Sequence, residues 1–198
     1  MKNFFAPRHI EIQDPPFAKF IFGNTGFAFV WLVVRLWLGW QWIDASMHKI
    51  TSPAWVVTGE ALKGFWVNAL KTDPKPVIVF DWYRQFIQFL LDTQSYTWFA
   101  KLVAYGELAI GVALILGAFV GVAAFFGAFM NWNFMLAGSA STNPLLFVAA
   151  ILLMLAWKVA GYYGLDRWLL PMLGTPWDLG ALLNPEKKTL QPEPVKIR

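Results

Sequence analysis

The chain has no cysteine among its 198 residues. Disulfides, thiolate metal sites, cysteine-ligated iron–sulfur clusters and a cysteine nucleophile are thereby excluded within it. Charge is scarce as well: 14% of residues are charged, against 58% hydrophobic. A soluble domain of this size needs more charge to cover its surface, and long stretches here carry almost none, so lipid is the expected solvent. Of the two histidines, His48 lies near an apolar run and His9 in a polar segment. Bis-histidine haem ligation inside an apolar core is not available from this pair, and no metal-ligand spacing is present. The net charge of +4 comes from scattered Lys and Arg, which argues against a nucleic-acid partner.

What the sequence does have is long apolar runs. Four reach the roughly 20 residues that cross a bilayer as helix: 27–47, 98–118, 120–140 and 144–163. The second and third are nearly continuous, and Gly117 and Gly121 predict a tight reversal between them. "GSASTNP" separates the third from the fourth, with Asn143 and Pro144 suited to a helix start. The fold class is therefore all-α, an integral membrane four-helix bundle over residues 27–178, flanked by polar tails at 1–26 and 179–198. The first run is full-length with no small-residue cleavage site behind it, so it reads as a membrane helix and not as a cleaved signal peptide. Four crossings put both termini on one side, with Lys2, Arg8, Lys19, Arg167 and the C-terminal lysines, which points to cytoplasmic termini.

The long segment between the first two runs is amphipathic. In "GEALKGFWVNAL" the residues Leu62, Phe65, Trp66, Ala69 and Leu70 recur at helical spacing, and "DWYRQFIQFLLDTQ" repeats the pattern with Trp82, Tyr83, Phe86, Ile87, Leu90 and Leu91. Both helices are expected on the outer membrane surface or capping the bundle. Most of the twelve tryptophans fit interface anchoring. Trp37, Trp40 and Trp132 lie deeper, and Trp40 is a candidate ligand contact.

Ionised groups inside a spanning helix cost about 2.5–3.5 kcal/mol each, so they face protein and have partners. Arg35 and Glu107 are placed near the midplane of antiparallel neighbours. Their pair either fixes helix register or forms the floor of a site for a polar head group. Lys158 either snorkels to the cytoplasmic surface or turns inward, where it would favour an anion or a carbonyl ligand. Asn131 and Asn133 cannot share a face; Asn131, aligned with Gly127, Met135 and Gly138, is the interior candidate, for a ligand or for an interhelical hydrogen bond. Asp44 and His48, at i and i+4, form a helix-end pair or an outer proton path.

The order "RLWLGWQWIDASMHKI", "GEALKGFW", "AYGELAIGVALILGAFVGVAA", "MNWNFMLAGSASTNP", "AGYYGLDRWLLPMLGTPW" resembles the DoxX/DoxD family of four-helix membrane proteins. It is similar in particular to the DoxD type, the membrane subunit of thiosulfate:quinone oxidoreductase, over about residues 27–178. The resemblance implies a bacterial or archaeal plasma membrane, partner subunits of a redox complex and quinone as cofactor; it places the family's first-helix arginine at Arg35 and its "GE" at Gly106 and Glu107. Two functions follow as expectations: a subunit passing electrons from thiosulfate or another reduced sulfur compound to quinone, or a non-catalytic accessory subunit of a respiratory or photosynthetic complex. For the first, the catalytic candidates are Arg35, attracting an anion or polarising a carbonyl, and Glu107, handling a proton.

Overall fold

The computed structural model describes residues 14–174. Among them the chain is all-helical: α1 Pro16–Gly23, α2 Ala28–Ile50, α3 Pro53–Val56, α4 Glu60–Ala69, α5 Asp81–Asp92, α6 Tyr96–Leu116, α7 Val120–Leu136, α8 Asn143–Leu155, α9 Trp157–Ala160 and α10 Asp166–Leu173. Two segments are long and apolar enough to cross a membrane, Thr25–Ile50 and Tyr96–Leu116. The next two are apolar but shorter than the sequence predicts. α7 stops before Gly138, whose φ of 86° breaks the helix, and α8 ends at Leu155, with Trp157–Ala160 continuing as a separate turn. At 1.5 Å per residue they span about 25 and 20 Å, against a hydrocarbon core of about 30 Å.

α2 packs closely on α6, α7 packs closely on α8, and looser contacts between α6 and α7 and between α2 and α8 close the ring. The α2–α6 contact is set by small residues. Gly39 and Gly111 face each other so closely that a Cβ on Gly111 would lie 2.9 Å from the Gly39 carbonyl oxygen. Lipid is as apolar as any leucine, so close backbone approach and interhelical hydrogen bonds, not water exclusion, hold such helices. One such bond runs from Ser46 Oγ to the Ala104 carbonyl, at 3.0 Å.

In the described part of the N-terminal segment, residues 14–26, a short apolar helix forms. Pro15 and Pro16 suit a helix start, and α1 follows with Phe17, Phe20, Ile21 and Phe22. It docks onto α9 and α2: the Trp31 indole donates to the Ile21 carbonyl at 2.8 Å, and Phe22 stacks on Trp31. The C-terminal tail, 179–198, lies outside the described residues, as does His9.

The two amphipathic stretches fold as α4 and α5. Their buried residues Leu62, Trp66, Tyr83, Ile87 and Leu90 join Ala100 of α6 and Ala137 just past α7 in a second apolar core, separate from that of the long helices. They therefore cap one end of the long helices, the end expected outside the cell.

Candidate functional site

Arg35 and Glu107 are both 1% exposed, yet they do not meet. Ser46 faces Ala104, Gly39 faces Gly111 and Arg35 reaches Ile115, which fixes an antiparallel register. That register brings Glu107 level with Ile43, roughly 12 Å along the axis from Arg35. The expectation that they pair assumed level helix ends, whereas α2 overshoots the end of α6 by about two turns. Side-chain direction separates them further. Each Cα–Cβ bond leans toward its helix N-terminus, so on antiparallel helices Arg35 points inward and Glu107 outward.

The same rule gives Glu107 another partner. Lys49, near the outer end of α2, leans back toward the middle, and its Nζ lies 2.7 Å from Glu107 Oε2. Nζ also donates to the Ala45 carbonyl and sits 5.3 Å from the ring centre of Trp55 on α3. The lysine is 18% exposed, so the pair is closed on one side and touches the surface on the other. Asp44 and His48, 3.8 Å apart, are mostly exposed and belong to the outward face of α2; the structure does not bring them to Glu107.

Arg35 instead ties down the inner turn. Its Nη1 donates to the Leu114 and Ile115 carbonyls at 2.7 and 3.2 Å, and its Nη2 to the Tyr163 carbonyl at 3.2 Å. The first two carbonyls belong to the last turn of α6, where the helix dipole favours a cation; the Leu114 carbonyl also accepts from the Gly117 amide. Gly117 follows with φ 67°, and a Cβ there would collide with the Arg35 guanidinium, so only glycine can make this turn. Asp166 completes the arrangement from the far side of the sequence. Its carboxylate accepts from the backbone N–H of Phe119 at 2.6 Å and of Val120 at 2.9 Å, capping the N-terminus of α7. The Asp166 and Leu165 amides donate in turn to the Gly117 and Leu116 carbonyls. A cation on one helix end and an anion on the next are thus held about a single reversal. Sequence reasoning passed over Asp166, because nothing local links it to a helix that starts 46 residues earlier.

The other candidates separate. Lys158 is exposed beside the Trp157 ring and does not join Arg35. Trp40 is 62% exposed on the outward face of α2. Asn131 is fully buried in the interior, but neither atom of its amide has a hydrogen-bond partner, nor has the indole N–H of buried Trp42, which packs against Gly127 one turn away. Arg35, Glu107, Asn131, Lys158 and Trp40 therefore do not form one site.

A cavity suited to a ligand lies elsewhere. α4 and α5 arch over the outer ends of α6 and α7 and leave a space of ≈ 640 Å³, within the range of small-molecule pockets. Its walls are aromatic: Phe65, Trp82, Phe86, Phe99, Phe129 and Trp132. Polar groups are few. The Tyr83 hydroxyl donates to the Asn133 carbonyl at 3.0 Å and lies 3.3 Å from Asn133 Oδ1, while Asn133 Nδ2 is engaged by the Phe129 carbonyl. Burial pushes the Tyr83 phenol up to about 12, so it stays a neutral O–H at physiological pH. Its oxygen can still accept, as can Asn133 Oδ1, and the exposed Trp82 and Trp132 carry indole N–H donors. An apolar ring bearing hydroxyl or carbonyl groups at its edge matches this lining. The sequence signalled the pocket only through its two amphipathic stripes and the unusual depth of Trp132; Tyr83 read as one more apolar-face residue and Asn133 as the lesser of two asparagines. The chain matches no protein-family profile, no curated protein and no solved structure.

Proposed function

We propose that the chain is a DoxX/DoxD-like four-helix integral membrane protein that serves as a subunit of a redox complex and holds a quinone-class ligand in the aromatic pocket beneath α4 and α5. The observation that carries this reading is the pocket itself: aromatic walls, ≈ 640 Å³, and the Tyr83–Asn133 pair as its internal polar edge. The membrane is the plasma membrane of a bacterium or archaeon, with α4 and α5 at its outer face. A reduced sulfur compound such as thiosulfate, oxidised on a partner subunit, supplies two electrons. With two protons from solvent they convert the bound quinone to quinol, one of whose new O–H groups finds an acceptor at the Tyr83–Asn133 edge. The residues of this chain bind and orient the ring; the electron donor is the partner's.

The test is quinone binding to the purified chain in lipid nanodiscs, read by quenching of tryptophan fluorescence. Trp132→Ala, at the pocket wall, weakens binding at least tenfold, and Trp40→Ala, on the far face of α2, leaves it unchanged. A wild-type chain that binds no quinone refutes the reading. A second reading, an accessory subunit without a ligand of its own, is favoured by the outward stripe Phe29, Val33, Leu36 and Trp40 on α2, all exposed at helical spacing. A chain that purifies as a free monomer with quinone bound counts against it.

A further inference from the structure

The aromatic pocket does not end beneath α5. Phe99, Val103, Phe129 and Met130 also line a second cavity of ≈ 580 Å³ that continues between α6 and α7 to Ala118 and Phe119 at the inner turn. Small residues on α6 open it: Gly106, Ala109 and Ala113 stand where larger side chains would close the seam with α7. The second cavity runs from Met130 to Phe119, roughly 16 Å along α7. Unlike the pocket above it, every side chain that lines it is apolar.

Shape and chemistry together select an occupant. The seam is an open apolar groove, with Leu102, Val122, Phe126 and Phe129 about half-exposed along it. A flexible hydrocarbon chain can lie along such a groove. Because the groove is continuous with the aromatic pocket at four shared residues, a molecule whose ring sits beneath α5 has a contiguous apolar path for a tail, down the seam between α6 and α7.

Resting on the quinone reading above, we infer that the α6–α7 seam binds the isoprenoid tail of the same ligand, so that this protein selects long-tailed quinones over tailless ones. The seam would then hold the ring beneath α5 and orient it with its tail toward the membrane interior. The looseness of the α6–α7 contact, beside the close α2–α6 and α7–α8 pairs, is what leaves the room.

Gly106→Leu tests this without disturbing the fold. A Cβ at Gly106 meets nothing nearer than the Met130 sulfur at 4.0 Å, so the leucine enters the seam and not a neighbour. Ala109→Phe, at an exposed seam position, is the second variant. Binding of a tailless benzoquinone and of the same ring with a long prenyl tail is measured in nanodiscs of fixed phospholipid composition, alongside native mass spectrometry. The wild-type chain binds the prenylated quinone at least tenfold more tightly than the tailless one, and either variant abolishes that preference while leaving tailless binding unchanged. Equal binding of the two quinones to the wild type, or a preference that survives both variants, overturns the tail assignment and leaves the ring pocket standing. Failure of the wild type to bind either quinone instead overturns the pocket reading itself. A phospholipid retained in the wild type against excess prenylated quinone, and lost in Gly106→Leu, assigns the seam to ordinary lipid and overturns the tail assignment as well.

Discussion

The pairing of Glu107 with Lys49, and not with Arg35, is open to a double-mutant cycle. Glu107 is 1% exposed and its carboxylate is 2.7 Å from the ammonium. Removing the lysine leaves a buried carboxylate without its partner, which costs about 3–5 kcal/mol. Lys49→Met should therefore lower the thermal midpoint in detergent by roughly 6–20 °C, at about 2–4 °C per kcal/mol for a chain of this size. Glu107→Gln should cost less, because the 18% exposed lysine can turn toward the surface once its partner is neutral. The double variant should be more stable than Lys49→Met alone, since it removes the orphaned charge, and the cycle should give a coupling of about 1–3 kcal/mol. Arg35 and Glu107, roughly 12 Å apart along the helix axis, should give additive effects to within about 0.5 kcal/mol. Circular dichroism of the four unfolding curves in each cycle decides it. Additivity for Lys49 with Glu107, together with coupling for Arg35 with Glu107, would refute this register and these side-chain directions.

Two further outcomes follow. Asp166→Ala removes the acceptor of the Phe119 and Val120 amides and should destabilise the protein by about 1–2 kcal/mol, with Asp166→Asn, which keeps one oxygen, losing less; unfolding midpoints in detergent check both. The Tyr83 phenol is raised from 10 to about 12 by burial, so the folded state holds this proton more tightly than the unfolded chain does. Its contribution to stability is complete below pH ~10 and lost as pH rises toward ~12, an alkaline slope in the unfolding midpoint that Tyr83→Phe should remove.

Composition and periodicity alone determined the helical class, the apolar character of the four long segments and the two amphipathic helices between the first and second. Each is a local property: an apolar run satisfies its backbone hydrogen bonds internally wherever it sits, and the 3.6-residue stripe of Leu62, Phe65, Trp66 and Ala69 exists before any partner does. The reversal after α6 was legible too, since Gly117 adopts a backbone angle that a side chain could not share. The burial of Arg35, Glu107 and Asn131 followed from the cost of leaving such groups in lipid. Their partners did not. Which carbonyls Arg35 reaches, and that Lys49 and not Arg35 answers Glu107, depend on an axial offset between α2 and α6 set by the close approach of Gly39 and Gly111. Asp166 caps a helix that no local signal connects to it. The aromatic pocket and the seam beneath it exist because α6 and α7 pack only loosely along their length while α4 and α5 fold back over them. Sequence periodicity fixes which face of a helix is apolar, but a cavity is the space between faces, and only the packing of whole helices decides its size and contents.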